Sequence, residues 1–133
     1  MNGVDTSVVV AALLLDHAQH ELARLVFDSA PAIPAHVALE SYSVLTRLPL
    51  PGRISPADAA HLLDRAFGGR FVALSGAEQE VLLADLPRLG IAGGAVYDAL
   101  VAATALKHKL TLHSLDRRAA GTYDAIGVDY ELL

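Results

Sequence analysis

The sequence contains no cysteine, and this absence excludes several kinds of site at once. Without a thiol, the chain of 133 residues has no disulfide framework, no thiolate-held metal and no cysteine nucleophile. Tryptophan is also absent, and only three phenylalanines and four tyrosines are present. Because base-stacking platforms are built from aromatic side chains, this composition argues against an RNA-binding module of the stacking type.

Positive charge and long apolar runs are also scarce. Acidic side chains outnumber Lys and Arg by fifteen to ten, and the net charge of −5 gives no global positive field to attract a polyanion. Bound divalent cations would offset part of this charge. The longest apolar run, from Val8 to Leu15, is too short to span a bilayer and follows Asp5 instead of a basic leader. We therefore expect a cytoplasmic protein without a targeting segment or a membrane contact.

The apolar content is high enough to build a core. Hydrophobic residues make up 53% of the chain and the mean hydropathy is +0.42, which argues against disorder. Domains cluster at roughly 100–150 residues, so the chain has room for one core. Repeats, low-complexity tracts and linkers are absent from the sequence. We therefore predict a single domain over residues 1–133.

Short apolar segments alternate with helical patterns along the chain. Strands are predicted at residues 2–4, 32–34, 71–74, 110–114 and 128–131, the third of them buried. Asp5 and Asp16 are predicted to cap the first two helices, and Ser55 with Pro56 begins a later one. Helices are predicted from residue 5 onward, at 16–27, at 36–48, from 55 onward, at 77–86 and at 96–107. The alternation predicts an α/β fold around a parallel sheet.

Two acidic residues come directly after predicted strands. Asp5 follows the first strand, and Asp116 follows a later one, where alternation places Ser114 on the same side as Asp116. In open parallel sheets, ligands bind at the carboxyl ends of the strands, so Asp5 and Asp116 are predicted to share one edge. Each also has a structural explanation, since Asp5 could cap a helix and Asp116 could begin a turn.

Two further acids, Glu40 and Asp98, lie on predicted helices that could flank this edge. Glu40 borders the apolar face of its helix, where a solvated surface charge is the ordinary interpretation. Asp98 begins the helix at 96–107, which is nearly all apolar and is predicted to be buried on most sides. A helix cap would explain Asp98, but a carboxylate at a buried helix end also needs a partner such as a metal. Four carboxylates without cysteine suit a hard cation such as Mg²⁺ or Mn²⁺.

The order and spacing of these residues resemble the PIN-domain family. The similarity is carried by Asp5-Thr6-Ser7, Glu40, the segment from Tyr97 to Ala105 and the segment from Ser114 to Arg118. The Asp98 helix and the Asp116 segment are the most specific of these features. Within the family, the chain resembles the VapC-type ribonuclease toxins of bacterial toxin–antitoxin pairs over essentially its whole length.

The resemblance implies a three-layer α/β/α sandwich with a mainly parallel five-stranded sheet, and Mg²⁺- or Mn²⁺-dependent endonucleolytic cleavage of RNA. It assigns the metal cluster to the positions of Asp5, Glu40, Asp98 and Asp116. Among these we expect Asp5, Asp98 and Asp116 to bind the metal, and Glu40 to bind it through water or to act as a general base. The resemblance also implies a homodimer and a cognate antitoxin of the VapB type.

Neighbouring polar residues are expected to support these acids. Ser114, with Thr6 or Ser7, is predicted to fix the orientation of the carboxylates through hydrogen bonds. Arg117 and Arg118 follow Asp116 directly, and they either contact RNA phosphates or are solvated surface arginines.

Two other functions remain open at this point. One is a phosphoacceptor α/β domain, which also places an aspartate at a strand end but would need paired acids after the first strand. Here Thr6 and Ser7 follow Asp5 instead. The other is a catalytically silent interaction module with the same fold, and the four retained acids argue against it.

Overall fold

The computed structural model describes all residues from 1 to 133, which form five short strands and seven α-helices. In chain order these elements are β1 (Asn2–Val4), α1 (Thr6–Leu13), α2 (His20–Phe27), β2 (Ile33–Pro34), α3 (Ala35–Thr46), α4 (Pro56–Phe67), β3 (Phe71–Val72), α5 (Gly76–Leu89), α6 (Ala95–Lys107), β4 (Thr111–Ser114), α7 (Ala120–Ile126) and β5 (Tyr130–Leu132). A 3-10 helix at Arg117–Ala119 lies between β4 and α7. None of the helices combines the length and apolar character needed to cross a membrane.

The five strands are all parallel and lie in the order β3-β2-β1-β4-β5. β1 pairs with β4 and β4 with β5, while β2 pairs with β3. A bridge between Gly3 and Ala32 joins the two ladders, and the Ala32 amide donates to the Asn2 carbonyl at 2.9 Å. Helices α1 to α4 pack on one another, as do α5 to α7, and these two groups form the outer layers. The expected α/β/α sandwich with a five-stranded parallel sheet is confirmed.

The strand order reverses at β1. From β1 the chain moves outward through β2 to β3 and then returns to the other side of β1 at β4. Such a switch point leaves a crevice at the carboxyl ends of the two strands concerned, where ligands bind in open α/β sheets. Asp5 follows β1 and Asp116 lies just beyond β4. The topology therefore brings both acids to the place where a ligand site is expected.

Small aliphatic side chains form the core, as the composition requires. The main cluster contains 21 buried residues, most of them valine or alanine, and it includes Val4, Val8 and Leu112. Tyr123 is the largest fully buried side chain, with only 1% of its surface exposed. A buried tyrosine normally finds a hydrogen-bond partner for its hydroxyl group. That partner lies in the candidate site described below.

A capping box begins α5 and gives a test of local stability. The Ser75 hydroxyl accepts from the Glu78 amide at 3.1 Å, and the Ser75 amide donates to the Glu78 carboxylate at 2.8 Å. We expect Ser75→Ala to lower the free energy of unfolding by about 1 kcal/mol, because the Glu78 amide in the first turn of α5 loses the hydroxyl that accepts its hydrogen bond. Urea denaturation measures the change. Ser43→Ala, at an exposed position inside α3, is the control without such a loss, and equal stability of both variants would contradict the expectation.

The predicted cap at Asp16 is wrong. The second helix begins at His20, and its N-cap is Gln19, which makes no side-chain cap hydrogen bond. Asp16 instead lies exposed in the turn that follows α1, where the His17 amide donates to the Leu14 carbonyl at 3.0 Å. The chain has to turn there before α2 can pack against α1. This tertiary requirement overrides the local preference of aspartate for a cap.

The predicted burial of the third strand is also wrong in part. The strand predicted at 71–74 is limited to Phe71–Val72, and 49% of the Phe71 surface is exposed. β3 pairs only with β2, so it is an edge strand with fewer neighbours than a central one. Helix α6 is buried on most sides, as predicted, and only Tyr97, Leu106 and Lys107 are exposed. An apolar sequence therefore overstated how completely β3 is covered.

Candidate active site

Asp5 is the most deeply buried acid of the candidate site. It lies between β1 and α1, with 6% of its surface exposed, and it caps α1 by accepting from the Val8 amide at 3.3 Å. Its carboxylate also accepts from the Ser7 hydroxyl and, at 2.8 Å, from the Tyr123 hydroxyl. Burial raises the pKa of Asp5, and hydrogen bonding with Ser114, followed by Ser7, Tyr123 and the Val8 amide, partly opposes the increase. Asp5 can therefore cap α1 and belong to the candidate site at the same time.

Ser7 links Asp5 to the end of β4. While its hydroxyl donates to Asp5, the same oxygen accepts from the Leu115 amide at 2.8 Å. The Asp5 amide in turn donates to the His113 carbonyl at 3.2 Å, which extends the pairing of β1 with β4. The two strand ends that carry the acids are thus fixed relative to each other.

Asp116 lies beyond β4 and begins the 3-10 helix. Its carboxylate accepts from the backbone amide of Arg118 at 3.0 Å and contacts the Arg118 guanidinium at 3.3 Å. The Asp116 amide donates to the Ser114 hydroxyl at 3.0 Å. Ser114 thus acts on Asp116 through the backbone and sets the direction in which the chain leaves the sheet.

Glu40 reaches the site from α3. One oxygen of its carboxylate accepts from the Thr6 hydroxyl, and the other lies 3.7 Å from Nε2 of His36. The His36 ring stacks on Tyr97, with 5.3 Å between ring centres, while Nε2 is buried without a hydrogen-bond partner. The Glu40 side chain remains 43% exposed. Thr6 and His36 therefore flank a carboxylate that still faces solvent.

Asp98, in the first turn of α6, is the acid with the least support from the protein. Burial is the largest cause that raises its pKa, followed by the negative charges of Asp116, Glu40 and Asp5. Arg118 opposes this increase, but no hydrogen bond does. A carboxylate surrounded by three others is destabilised in its charged form unless a cation accompanies it.

All four acids line one cavity. Its volume is about 60 Å³, and its walls are formed by Asp5, Thr6, Ser7, Glu40, Asp98, Val101, Asp116 and Tyr123. No three acidic or histidine side chains are close enough together to form a ready-made metal site. The donor chemistry nevertheless fits a hard cation, because the cavity presents carboxylate oxygens and no sulfur. The negative charges of the other three carboxylates raise the pKa of Asp98, and a bound cation would relieve this repulsion.

Tyr123 is the member of this cavity that the sequence analysis missed. Its hydroxyl donates to Asp5 although the two residues are 118 positions apart. Burial and the nearby Asp5 charge raise the pKa of Tyr123, so its hydroxyl stays protonated and remains a donor. An isolated tyrosine on a short helix carries no local signal of such a role.

The two arginines after Asp116 have different surroundings. Arg118 is paired with Asp116, whereas Arg117 takes part in none of the ion pairs of the structure. Both line a larger groove that adjoins the acidic cavity. Arg47, at the end of α3, lines the same groove and was not predicted from the sequence.

Comparison with known proteins gives the same family as the motifs. The PIN domain family matches residues 4–125. Ribonuclease VapC27 of Mycobacterium tuberculosis is 43% identical over 126 residues, which cover 94% of this chain and 91% of that protein. Ribonuclease VapC40 of the same species is 39% identical over 129 residues, covering 97% and 96% of the two chains.

Two solved structures share the fold at lower identity. FitAcB from Neisseria gonorrhoeae superposes with a TM-score of 0.66 at 22% identity, covering 98% of this chain and 96% of that one. FitAB bound to an IR36 DNA fragment gives a TM-score of 0.67 at 20% identity, covering 99% and 94%. With the family match over most of the chain and two relatives near 40% identity, the chain belongs to the PIN-domain family and is of the VapC type.

Proposed function

We propose that this protein is a Mg²⁺- or Mn²⁺-dependent endoribonuclease that hydrolyses RNA phosphodiester bonds. The observation that carries the proposal is the convergence of Asp5, Glu40, Asp98 and Asp116 on one cavity at the switch point of the sheet. The relatives named as ribonucleases support the same activity.

In this proposal Asp5, Asp98 and Asp116 hold the metal. When bound, a divalent cation supplies Lewis acidity that polarises the scissile phosphate and acidifies the attacking water. Glu40, more exposed and accepting a hydrogen bond from Thr6, is suited to take a proton from water as general base or to contact the cation through water. Tyr123 and Ser7 orient Asp5, and Ser114 positions the backbone of Asp116.

The phosphoacceptor alternative has less support. A phosphoacceptor aspartate needs an accessible carboxylate oxygen, but Asp5 is 6% exposed and both of its oxygens accept hydrogen bonds. A silent interaction module would have no need of four carboxylates that repel one another around Asp98. The nuclease proposal explains the second observation, because a bound cation offsets the repulsion between the carboxylates.

We further propose that residues 1–133 act as one domain in the cytoplasm and that a cognate VapB-type antitoxin neutralises the nuclease. A homodimer is the proposed assembly. These proposals rest on family membership. Size-exclusion chromatography of the purified chain, alone and with its antitoxin, tests the assembly.

The direct test of the activity is RNA cleavage by the purified chain. We expect labelled RNA to be cut internally in the presence of Mg²⁺ or Mn²⁺, and EDTA to stop the cleavage because the carboxylates alone supply no Lewis acid. Excess Mn²⁺ added after EDTA should restore it, and gel electrophoresis of the products measures each step. Absence of cleavage, or cleavage that EDTA leaves unchanged, would refute the proposal.

A further inference from the structure

A groove much larger than the acidic cavity adjoins it. The groove has a volume of about 670 Å³, and Thr6, Ser7, Glu40 and Asp116 line both spaces. The acidic cavity, at about 60 Å³, holds an ion with a water or two, since one water takes about 30 Å³ of liquid. A polymeric substrate whose scissile bond reaches that cavity must therefore lie mostly outside it, and the groove is the adjoining space.

The groove gathers positively charged side chains on an acidic protein. Three of the ten Lys and Arg residues line it, namely Arg47, Arg117 and Arg118. Its only acidic side chains are Glu40 and Asp116, which also belong to the acidic cavity. Three arginine side chains therefore face two carboxylates in the groove, on a chain with a net charge of −5. Such a concentration of guanidinium groups is suited to phosphates.

Two of these arginines are free to bind a ligand. Arg47 and Arg117 take part in none of the five ion pairs of the structure, whereas Arg118 is paired with Asp116. Arg47 extends from the end of α3, and Arg117 from the 3-10 helix after β4, so they come from different elements. Arg47 is the C-cap of α3, where a positive charge interacts favourably with the helix dipole. This interaction does not require the side chain to line the groove.

The groove lacks the Phe, Tyr and Trp side chains on which RNA bases commonly stack. Its one imidazole, His17, already accepts a hydrogen bond from the Gln19 amide at 3.0 Å. We infer that this groove binds the backbone phosphates of the RNA on one side of the scissile bond, with Arg47 and Arg117 as the contacting residues. The inference rests on the proposed ribonuclease activity and adds the path of the substrate and a role for Arg47.

Binding of a fluorescein-labelled, mixed-sequence single-stranded RNA to Arg47→Gln tests the inference. The measurement is fluorescence anisotropy on an Asp98→Asn background, so that the probe survives. Each phosphate contact to a single strand contributes about −0.7 to the slope of log K against log salt. We therefore expect affinity to fall roughly eightfold at about 50 mM salt and roughly threefold at about 200 mM, with a smaller salt slope.

Two further variants make the result specific. Arg65→Gln removes an exposed arginine outside the groove and should leave RNA affinity unchanged. Arg47→Lys keeps the charge and should keep most of the salt slope, which also shows that position 47 tolerates substitution. Thermal unfolding of each variant checks that the fold is intact.

The possible failures can be told apart. If Arg47→Gln and Arg65→Gln bind RNA equally well, the inference is wrong, while the nuclease proposal stands on its own cleavage test. If Arg47→Gln loses binding of a labelled polyglutamate peptide but not of RNA, the groove is a site for an acidic polypeptide and the inference is also wrong. Absence of cleavage by the wild-type chain would instead refute the proposed function.

Discussion

Replacing Asp98 by asparagine is expected to slow RNA cleavage by roughly 100-fold or more. Loss of a residue that only supports a metal ligand costs roughly 10–100-fold in metal affinity or activity, and loss of a ligand should cost at least as much. Asparagine preserves the size of the side chain but removes the negative charge that would face the cation. Cleavage of labelled RNA under Mg²⁺ or Mn²⁺, followed on gels, measures the rate.

The same substitution is expected to raise the free energy of unfolding of the metal-free protein. Burial, then the charges of Asp116 and Glu40, raise the pKa of Asp98 above its ordinary value of 3.8. The folded protein therefore holds this proton more tightly than the unfolded chain does. As pH rises from 3.8 through the raised pKa, the wild type loses stability because ionised Asp98 is tolerated less well in the fold.

Asp98→Asn removes this contribution to the pH dependence. Asp5, whose pKa burial also raises, is present in both proteins and contributes in the same direction in each. Urea denaturation in EDTA across this pH range gives the two curves. Mn²⁺ should stabilise the wild type more than the variant, since a ligand stabilises the state that binds it.

Asp129→Asn provides the control for Asp98→Asn. Asp129 is exposed in the connection between α7 and β5 and lies outside the acidic cavity, yet the substitution makes the same chemical change. We expect it to leave the cleavage rate unchanged. An Asp98→Asn protein that cleaves RNA at the wild-type rate would exclude Asp98 from the site.

The site residues that could be placed from the sequence are those that directly follow strands of the sheet. A parallel sheet brings strand ends to a common edge, so residues directly after strands can be placed without coordinates. Asp5 and Asp116 satisfy this condition and do line one cavity. Glu40 and Asp98 lie on helices, whose rotation and docking a single sequence does not determine. Their helices were expected only to be able to flank this edge, and the assignment of Glu40 depended mainly on the family resemblance.

The residues that the sequence analysis missed depend on contacts between distant segments. Tyr123 contacts Asp5 across 118 positions, and Arg47 joins Arg117 in one groove although they lie on different elements. The stacking of His36 on Tyr97 likewise requires α3 and α6 to meet. Periodicity and capping preferences are local, so they carry no information on such pairs.

The wrong predictions have a related cause. Aspartate favours helix caps, but Asp16 falls in a turn that the packing of α2 against α1 requires. The apolar run that begins at Phe71 suggested a buried strand, but burial depends on the position of a strand in the sheet, and β3 lies at an edge. In both cases the local preference of the segment was identified correctly, but the tertiary structure imposed a different conformation or exposure.

Tyr123→Phe is expected to weaken metal binding by roughly 10–100-fold, the cost typical of losing a hydrogen bond to a metal ligand. Tyr123 donates to one Asp5 oxygen at 2.8 Å inside the core, and phenylalanine leaves that oxygen without this partner. Because the bond favours the charged carboxylate, its loss should raise the pKa of Asp5 further. An unsatisfied buried acceptor should also lower the free energy of unfolding by roughly 1–3 kcal/mol.

Calorimetric titration with Mn²⁺ measures the metal affinity of Tyr123→Phe, and urea denaturation measures its stability. Tyr130→Phe is a closely matched control, because the Tyr130 hydroxyl also donates to an aspartate at 2.8 Å, but to exposed Asp124 outside the cavity. A purely structural role for Tyr123 would lower stability and leave metal affinity equal to that of Tyr130→Phe. A role in orienting Asp5 requires metal affinity to fall in Tyr123→Phe alone, under conditions where both variants are fully folded.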